Sequence, residues 1–442
     1  MLGQNLSKIC TTVISFFNTR ATKLGKAINF VKRESKLTAK LFAESLIMGC
    51  LSNPNLTLED MRQLVKQRGI KISKQGLHQR FNQEATELMK TLFEESLQKF
   101  KTEKHDVIAL LKPFSSVIIL DSSSISLPVN LKNLYEGFGG GASEAGLKIQ
   151  MLLDYVNGQI KDVAITGARK NDQGFTDHLN KIEKGALYLQ DLGYFNTESL
   201  NRIKKTDAYF VSRYLLQTKV FDPDEQQIDL LKELNKAGSF FAKEVLLGQQ
   251  NKVKVRLIAY LLPDEEVEKR LRKLKKAAQK KGRAPTQETL ALARWSIFVT
   301  NVSEDILDNK QVYLVYILRW QIELFFKLCK SQVGIDKTNG KNQNRVLCEI
   351  YAKLIGIVTF LYLCFPVRWQ KNQELSFFRA YKRLRQRFSD FFTALKSPYR
   401  LLKFLKGFLD DLKNFSLKEK PRKKRLATYQ KIMNATNQEV LV

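Results

Sequence analysis

Val117-Ile118-Ile119-Leu120 is a continuous apolar run that stops at Asp121. Four residues are too few for a buried helix. Without polar alternation, the run needs cover on both faces. It therefore demands a sheet with layers on either side. Ala186-Leu187-Tyr188-Leu189 repeats the pattern and closes on Gln190-Asp191. Lys148 to Tyr155 and Gln159 to Thr166 read as two more strands. Val156-Asn157-Gly158 joins them, and Asn-Gly is a strong hairpin signal. A polar helix is expected over Thr176 to Glu183, a second helix over Thr197 to Lys204, and a strand over Ala208 to Tyr214. Three hairpin strands followed by alternating helix and strand specify a mixed α/β sheet.

Helices flank that centre. The stretch from about 36 to 100 reads as helical. Leu58, Met61, Leu64 and Val65 recur at helical spacing behind Thr57, a plausible N-cap. Gly69 interrupts, and Ser73 can cap a second helix from Lys74 to Phe81 with Leu77 and Phe81 inward. Helix, short turn with Gly, helix is the helix-turn-helix outline. Its outward Lys74, Gln75, His78 and Gln79 suit phosphates or base edges. An ordinary helical hairpin is the plainer alternative.

Residues from about 216 to 300 look inserted. Lys252 to Leu257 alternates as a half-buried strand. Pro263-Asp264-Glu265-Glu266 opens a helix with Val267, Leu271, Leu274 and Ala278 on one face and Lys/Arg around the rest. Trp295 to Val299 returns as a strand. From about 303 two long helices fit, near 309–332 and 343–365.

Charge narrows the partner. The 442 residues carry 74 Lys+Arg against 44 Asp+Glu, a net +30. Such a charge costs self-repulsion and implies a polyanion, nucleic acid before an anionic membrane surface. Residues 1–40 hold eight Lys/Arg against Glu34 alone, a basic arm. Residues 366–442 hold 19 against 6 and include the basic run Lys418 to Arg425, expected to be exposed. The longest apolar run, Leu354 to Phe365, is shorter than the roughly 20 residues of a membrane span. It reads as a buried core helix, so no membrane partner is expected. No signal-peptide pattern opens the chain. Five cysteines without a Cys-x-x-Cys pair and three scattered histidines argue against a disulfide scaffold or a zinc site, and a reducing cytosol fits. Any metal would be a hard cation on carboxylates.

Asp121 and Asp191 each close a buried strand. Singly, each is also a good strand stopper and turn residue. On neighbouring strands, two carboxylates repel unless a cation lies between them. Tyr316, Arg319, Glu323 and Lys330 stand at i, i+3, i+7 and i+14, one face of a helix. A solvated polar face is the usual reading of such a stripe. Here Leu314, Leu318, Trp320, Ile322, Phe325, Phe326 and Leu328 make the helix apolar around most of its girth.

Tyr316-x2-Arg319-x3-Glu323-x6-Lys330 resembles the Y-R-E-K signature of the insertion-sequence-four family of bacterial DDE transposases. Four fixed identities in a chain of this length arise by chance about 0.003 times at ordinary composition. Asp121-Ser122-Ser123 and Asp191-Leu192-Gly193-Tyr194 sit where that family has its first and second catalytic Asp, with Asp-Ser-Ser replacing the more usual Asp-Ser-Thr. The resemblance covers about 110–365. It implies a ribonuclease-H-like core in which Asp121 and Asp191 stand on adjacent strands and Glu323 on a helix laid across them. These three would be both catalytic residues and ligands of two Mg²⁺, with Mn²⁺ as substitute. Tyr316, Arg319 and Lys330 would grip phosphates near the cleaved end. Trp295 would stack a flipped base as in some relatives, although its alternation with Ile297 and Val299 is the ordinary core pattern. Trp320 and Trp369 are assigned to packing. Gly139-Gly140-Gly141 lacks the Lys-Ser/Thr of a P-loop and reads as a connection.

The expected organisation is a helical DNA-binding region with a basic arm (1–105) and the first part of a ribonuclease-H-like mixed sheet (106–215). A β-rich insertion (216–302), helices completing the core (303–366) and a basic helical C-terminal region (367–442) follow. The expected activity is cut-and-paste DNA transposition, with the terminal inverted repeats and target DNA as double-stranded partners. A homodimer in the synaptic complex and a cytoplasmic, nucleoid-associated location are expected with it. A catalytically silent DNA-binding descendant and a metal-dependent nuclease without strand transfer are the alternatives.

Overall fold

The computed structural model describes residues 2–31, 36–103, 108–280, 282–370, 373–418 and 427–434. His105, part of the basic arm and all of the run Lys418 to Arg425 beyond Lys418 lie outside them.

Six helices open the chain: α1 (Leu2–Ser15), α2 (Ala21–Ala27), α3 (Ala39–Ser52), α4 (Leu58–Gln67), α5 (Lys74–His78) and α6 (Gln83–Lys99). Strands β1 (Val117–Ser126), β2 (Gly146–Asp154), β3 (Gln159–Gly167) and β4 (Leu187–Gln190) follow, then α7 (Thr197–Lys205) and β5 (Tyr209–Arg213). Next come β6 (Val220–Phe221), α8 (Leu230–Ala237), β7 (Phe240–Leu247), β8 (Val253–Leu261), α9 (Asp264–Gln279), α10 (Gln287–Leu292) and β9 (Trp295–Thr300). Helices α11 (Asn309–Ile317), α12 (Trp320–Leu328) and α13 (Gln343–Cys364) precede a small hairpin, β10 (Trp369–Gln370) and β11 (Gln373–Glu374). Helices α14 (Phe377–Gln386), α15 (Phe388–Ala394), α16 (Pro398–Phe415) and α17 (Thr428–Asn434) finish it.

These elements form two compact units. One comprises residues 1–107, 122–170 and 321–422; the other comprises 108–121, 171–320 and 423–442. Strand β1 is divided between them at Asp121/Ser122. In the second unit the order is β1-β4-β5-β9-β8-β7-β6, with β1, β4 and β5 parallel and the rest antiparallel. Helix α7 is the crossover between β4 and β5, as parallel neighbours require. In the first unit the order is β3-β2-β1, and β2 and β3 pair antiparallel from Leu147↔Gly167 to Asp154↔Gln159. The fold is thus mixed α/β as expected, with a mixed sheet and helical N- and C-terminal regions.

The first unit packs around α13. Its run from Val346 to Cys364 is buried apart from Tyr351, and α3 and α6 lie against it. At Gly356 an added Cβ would stand 2.9 Å from the Leu51 side chain, so α3 approaches closely only over glycine. Gln343–Val367 is long and apolar enough to span a bilayer, longer than the run recognised from sequence. Its most apolar window is 83% buried inside the protein, as befits a core helix. All five cysteines are buried and free.

Two buried cations deserve their cost. Lys353 donates to the carbonyl oxygens of Gly334, at 2.8 Å, and Lys337, which anchors the chain leaving α12. Arg368 donates to Glu374 at 2.7 Å, and Lys418 donates to the other oxygen at 2.6 Å. The Arg368 guanidinium also lies over Trp369 and Phe377, 4.7 and 4.6 Å from the ring centroids. Trp369 is in packing as expected, its indole N–H donating to the Val156 carbonyl at 2.8 Å.

Three local expectations change. The helix foreseen over 309–332 breaks at Leu318-Arg319, where i→i−3 bonds to Val315 and Tyr316 tighten the turn, and it ends in a π-helical segment, Cys329–Val333. The polar helix after β3 is a 3₁₀ turn, Asp177–Lys181. Trp320 is 54% exposed rather than packed, because the tightened turn rotates it outward from the buried face.

Removing the Arg368 side chain leaves Glu374 buried beside Lys418 alone. Burial raises the Glu374 pKa, but Arg368 and Lys418 outweigh it and hold the group below its ordinary value. A depressed folded pKa gives stability that is full above the unfolded value and is lost as pH falls through the folded one. Arg368→Ala is expected to lose about 3 kcal/mol or more at neutral pH in urea denaturation. The gap to the parent should close as pH falls through the folded Glu374 pKa, below about 4.3.

Candidate active site

Register brings the first two carboxylates together. Leu120 pairs with Gln190 on parallel β1 and β4, and Gln190 pairs with Ser212 on parallel β4 and β5. The next rung is therefore Asp121, Asp191 and Arg213, on neighbouring chains about 5 Å apart. Asp191 and Arg213 stand at the carboxyl ends of β4 and β5, where open α/β sheets collect ligands; Asp121 follows the stretch of β1 that pairs with β4, and β1 runs on to Ser126 instead of closing there as expected. Asp121 lies within β1, whereas Asp191 follows β4 and opens a 3₁₀ turn over Leu192–Tyr194.

Arg319 answers the repulsion between the two aspartates. Its Nη1 lies 3.8 Å from Asp121 Oδ2 and its Nε 3.8 Å from Asp191 Oδ1. The side chains of Arg319 and Asp121 are 14% and 19% exposed and that of Asp191 is 45% exposed, so the group opens to solvent on the Asp191 side. Tyr316 lies in the last turn of α11, with Phe298 edge-on at 5.3 Å. Burial lifts its phenol to about 12; Arg319 opposes that rise and Asp191 adds to it. The tightened turn at Leu318-Arg319 is what lets Arg319 leave the helical stripe for the strand ends.

Glu323 and Lys330 belong to the other unit. Glu323 is half-buried on α12. Lys330 lies in the π-helical segment and donates to the Ser124 carbonyl of β1 at 3.0 Å. Among the described residues, no three His, Cys, Asp or Glu side chains gather as a group able to hold a metal ion. The oxygen donors of Asp121 and Asp191 nevertheless suit a hard divalent cation, since both already face a shared positive charge.

Trp295 on β9 is 5% exposed and pairs with Leu261, and its carbonyl accepts from Arg270 at 2.8 Å. That is a core position, where the ring has no open face for a base. Lys74, Gln75, His78 and Gln79 are exposed while Leu77 is buried, as read from the sequence. The helix α5 that carries them stops at His78, short of Phe81. The expected caps are present: Thr57 and Asp60 form a capping box, and Ser73 accepts from the Gly76 amide.

Arg213 was missed by sequence reasoning. The sequence specifies a strand over Ala208 to Tyr214 without singling out Arg213, yet Arg213 stands on the same rung as Asp121 and Asp191. Aligning the three parallel strands is the signal that finds it.

Residues 112–358 match the family model described as the transposase DDE domain, more than half of the chain. The chain belongs to the DDE transposase family. The transposase is similar to that of insertion sequence element IS231B of Bacillus thuringiensis subsp. berliner, 31% identical over 385 residues, covering 81% of this chain and 80% of that one. It is 27% identical over 443 residues to the transposase of insertion sequence element IS1151 of Clostridium perfringens, covering 93% of each. A chain of the cryo-EM structure of the piggyBac transposase synaptic complex with hairpin DNA aligns with 94% of this chain and 87% of its own, at TM-score 0.45 and 11% identity, too distant to add to the assignment. This enzyme is thus a DDE-type transposase that acts on DNA, and its family works with divalent cations.

Arg319→Ala removes a positive charge 3.8 Å from both aspartates. A unit charge at 4 Å is worth about 1 kcal/mol even in bulk water. The variant should bind Mn²⁺ several-fold more tightly in calorimetric titration while binding duplex DNA more weakly.

Proposed function

We propose that this transposase excises its element by cutting both DNA ends and joins them to target DNA. In this reading Asp121 and Asp191, with Glu323 from α12, hold two Mg²⁺, and Mn²⁺ substitutes for them. The observation that carries the reading is the rung of Asp121 and Asp191 on adjacent parallel strands, facing one guanidinium. Bound divalent cations supply Lewis-acid stabilisation of the phosphoryl oxygens and a more acidic attacking water.

The protein's own groups do the positioning. Arg319 takes two phosphate oxygens with its planar fork, and Lys330 offers a point charge. Arg213 adds a third cation at the same strand edge. Tyr316 remains a neutral phenol at physiological pH and supplies a donor rather than a charge. Water attacks the phosphorus at the transposon end, the P–O3′ bond breaks, and a free 3′-OH remains. That hydroxyl attacks a target phosphodiester, forming one P–O bond as another breaks, so no nucleotide cofactor is consumed.

Lys74, Gln75 and Gln79 form an exposed polar face on α5 that suits contact with the terminal inverted repeats. Trp295 serves the core of β9. Two ends must be cut together, which favours a homodimer in the synaptic complex, with the cytoplasm and the nucleoid as the place of action. The organisation proposed remains a DNA-binding region to residue 105, a core interrupted by an insertion at 216–302, and a basic C-terminal region from 367.

The test is cleavage and strand joining on a labelled terminal-repeat duplex with Mg²⁺ or Mn²⁺. The parent should nick and join, while Glu323→Ala and Asp121→Asn should fall to the uncatalysed background with DNA binding retained. Nicking without joined product would mark a nuclease. Binding without cleavage by the parent, on a confirmed end sequence, would mark a silent DNA-binding protein.

A further inference from the structure

Helix α9 carries a stripe of lysines that acids answer only at its start. From Lys269 to Gln287 the sequence has nine Lys/Arg and no Asp or Glu. At 100° per residue, Lys269, Lys273, Lys276 and Lys280 fall within an arc of about 60°. Val267 and Ala278 are buried and Leu271 and Leu274 half-buried, all on the opposite side. Arg270 ties the helix down by donating to the Trp295 carbonyl at 2.8 Å and to Ser296 Oγ at 3.4 Å. The lysine stripe therefore points away from the sheet on a helix that is held in place.

Helix electrostatics explain only part of the stripe: Lys276 lies in the last turn and Lys280 is the C-cap, where the dipole favours cations. The acids Asp264, Glu265 and Glu266 lie in the first turn, and Lys269 bridges to Glu266 at 3.1 Å. Lys273, Lys276 and Lys280 are exposed and have no carboxylate partner among the described residues. The macrodipole rewards cations only in the last turn, and Lys273 lies before it. Like charges at i, i+3 and i, i+4 destabilise a helix by a few tenths of a kcal/mol each. The stripe pairs Lys269 with Lys273, Lys273 with Lys276, and Lys276 with Lys280 in this way. Such an array is relieved by a linear polyanion. From Lys269 to Lys280 it spans twelve residues, about 16 Å between its ends, a length over which duplex DNA presents on the order of ten phosphates.

We propose that the Lys273-Lys276-Lys280 face of α9 is a docking surface for the phosphate backbone of duplex DNA, separate from the strand-end site. The contact is independent of base sequence and positions the duplex. The proposal rests on the transposase reading for its choice of DNA as the polyanion.

The experiment compares the full chain with Lys273→Gln/Lys276→Gln/Lys280→Gln and with the triple Lys→Arg variant. Binding to a fluorescein-labelled terminal-repeat duplex and to an unrelated duplex of equal length is measured by anisotropy across salt concentrations. Each phosphate contact contributes about 0.9 to the slope of log K against log salt. The Gln variant should lower the magnitude of the slope by about 2.7 on both duplexes. The Arg variant should retain it, and thermal unfolding should not weaken in either. A fall smaller than one contact, about 0.9, overturns the proposal. If the slope falls as expected but the parent cleaves nothing, the docking surface stands and the catalytic reading fails. If the parent cleaves and the slope is unchanged, the reverse holds. If the parent binds no duplex, both fall.

Discussion

Two carboxylates on one rung of adjacent strands repel, and in the second unit a single guanidinium answers that repulsion. The parallel register of β1, β4 and β5 places Asp121, Asp191 and Arg213 on one rung. Arg319 reaches both aspartates from the turn between α11 and α12. An uninterrupted α-helix would have carried Arg319 past that point on a regular stripe. The i→i−3 bonds at Leu318 and Arg319 sacrifice helical geometry for electrostatics.

The first unit solves a related problem with buried charge. Helix α13 is apolar enough for a membrane, yet it carries Arg345, Glu349 and Lys353. Arg345 pairs with Glu349 at 2.8 Å, and Lys353 terminates the chain after the π-helical segment through two carbonyls. Arg368, Glu374 and Lys418 repeat the device at the β10–β11 hairpin. Such clusters add little net stability over apolar packing, but losing one member is costly. Their effect is to hold loops in one place where apolar contacts alone would permit several.

Much of this was legible from residue patterns. The apolar runs ending in Asp121 and Asp191 specified buried strands, because continuous Val/Ile/Leu runs need two covered faces. Thr57 and Ser73 announced helix starts because their hydroxyls accept from amides in the first turn. The strand pairing was not legible, and Arg213 was missed with it: its position has meaning only beside Gln190 and Asp191. Trp320 misled for a different reason. Its apolar neighbours predicted a buried ring, but burial around a helix depends on phase, and two residues of 3₁₀ geometry shift the phase. Trp295 gave both signals at once, and the alternation with Ile297 and Val299 describes where it lies.

The π-helical segment Cys329–Val333 has a consequence of its own. A π turn holds more residues than an α turn, so this stretch contains slack that an α-helix lacks. Within this segment the direction of Lys330 is set by the number of residues in the π turn. Deleting one residue there would leave a better α-helix while swinging the Lys330 ammonium away from the Ser124 carbonyl. Insertions and deletions, more than substitutions, are the changes this helix cannot absorb.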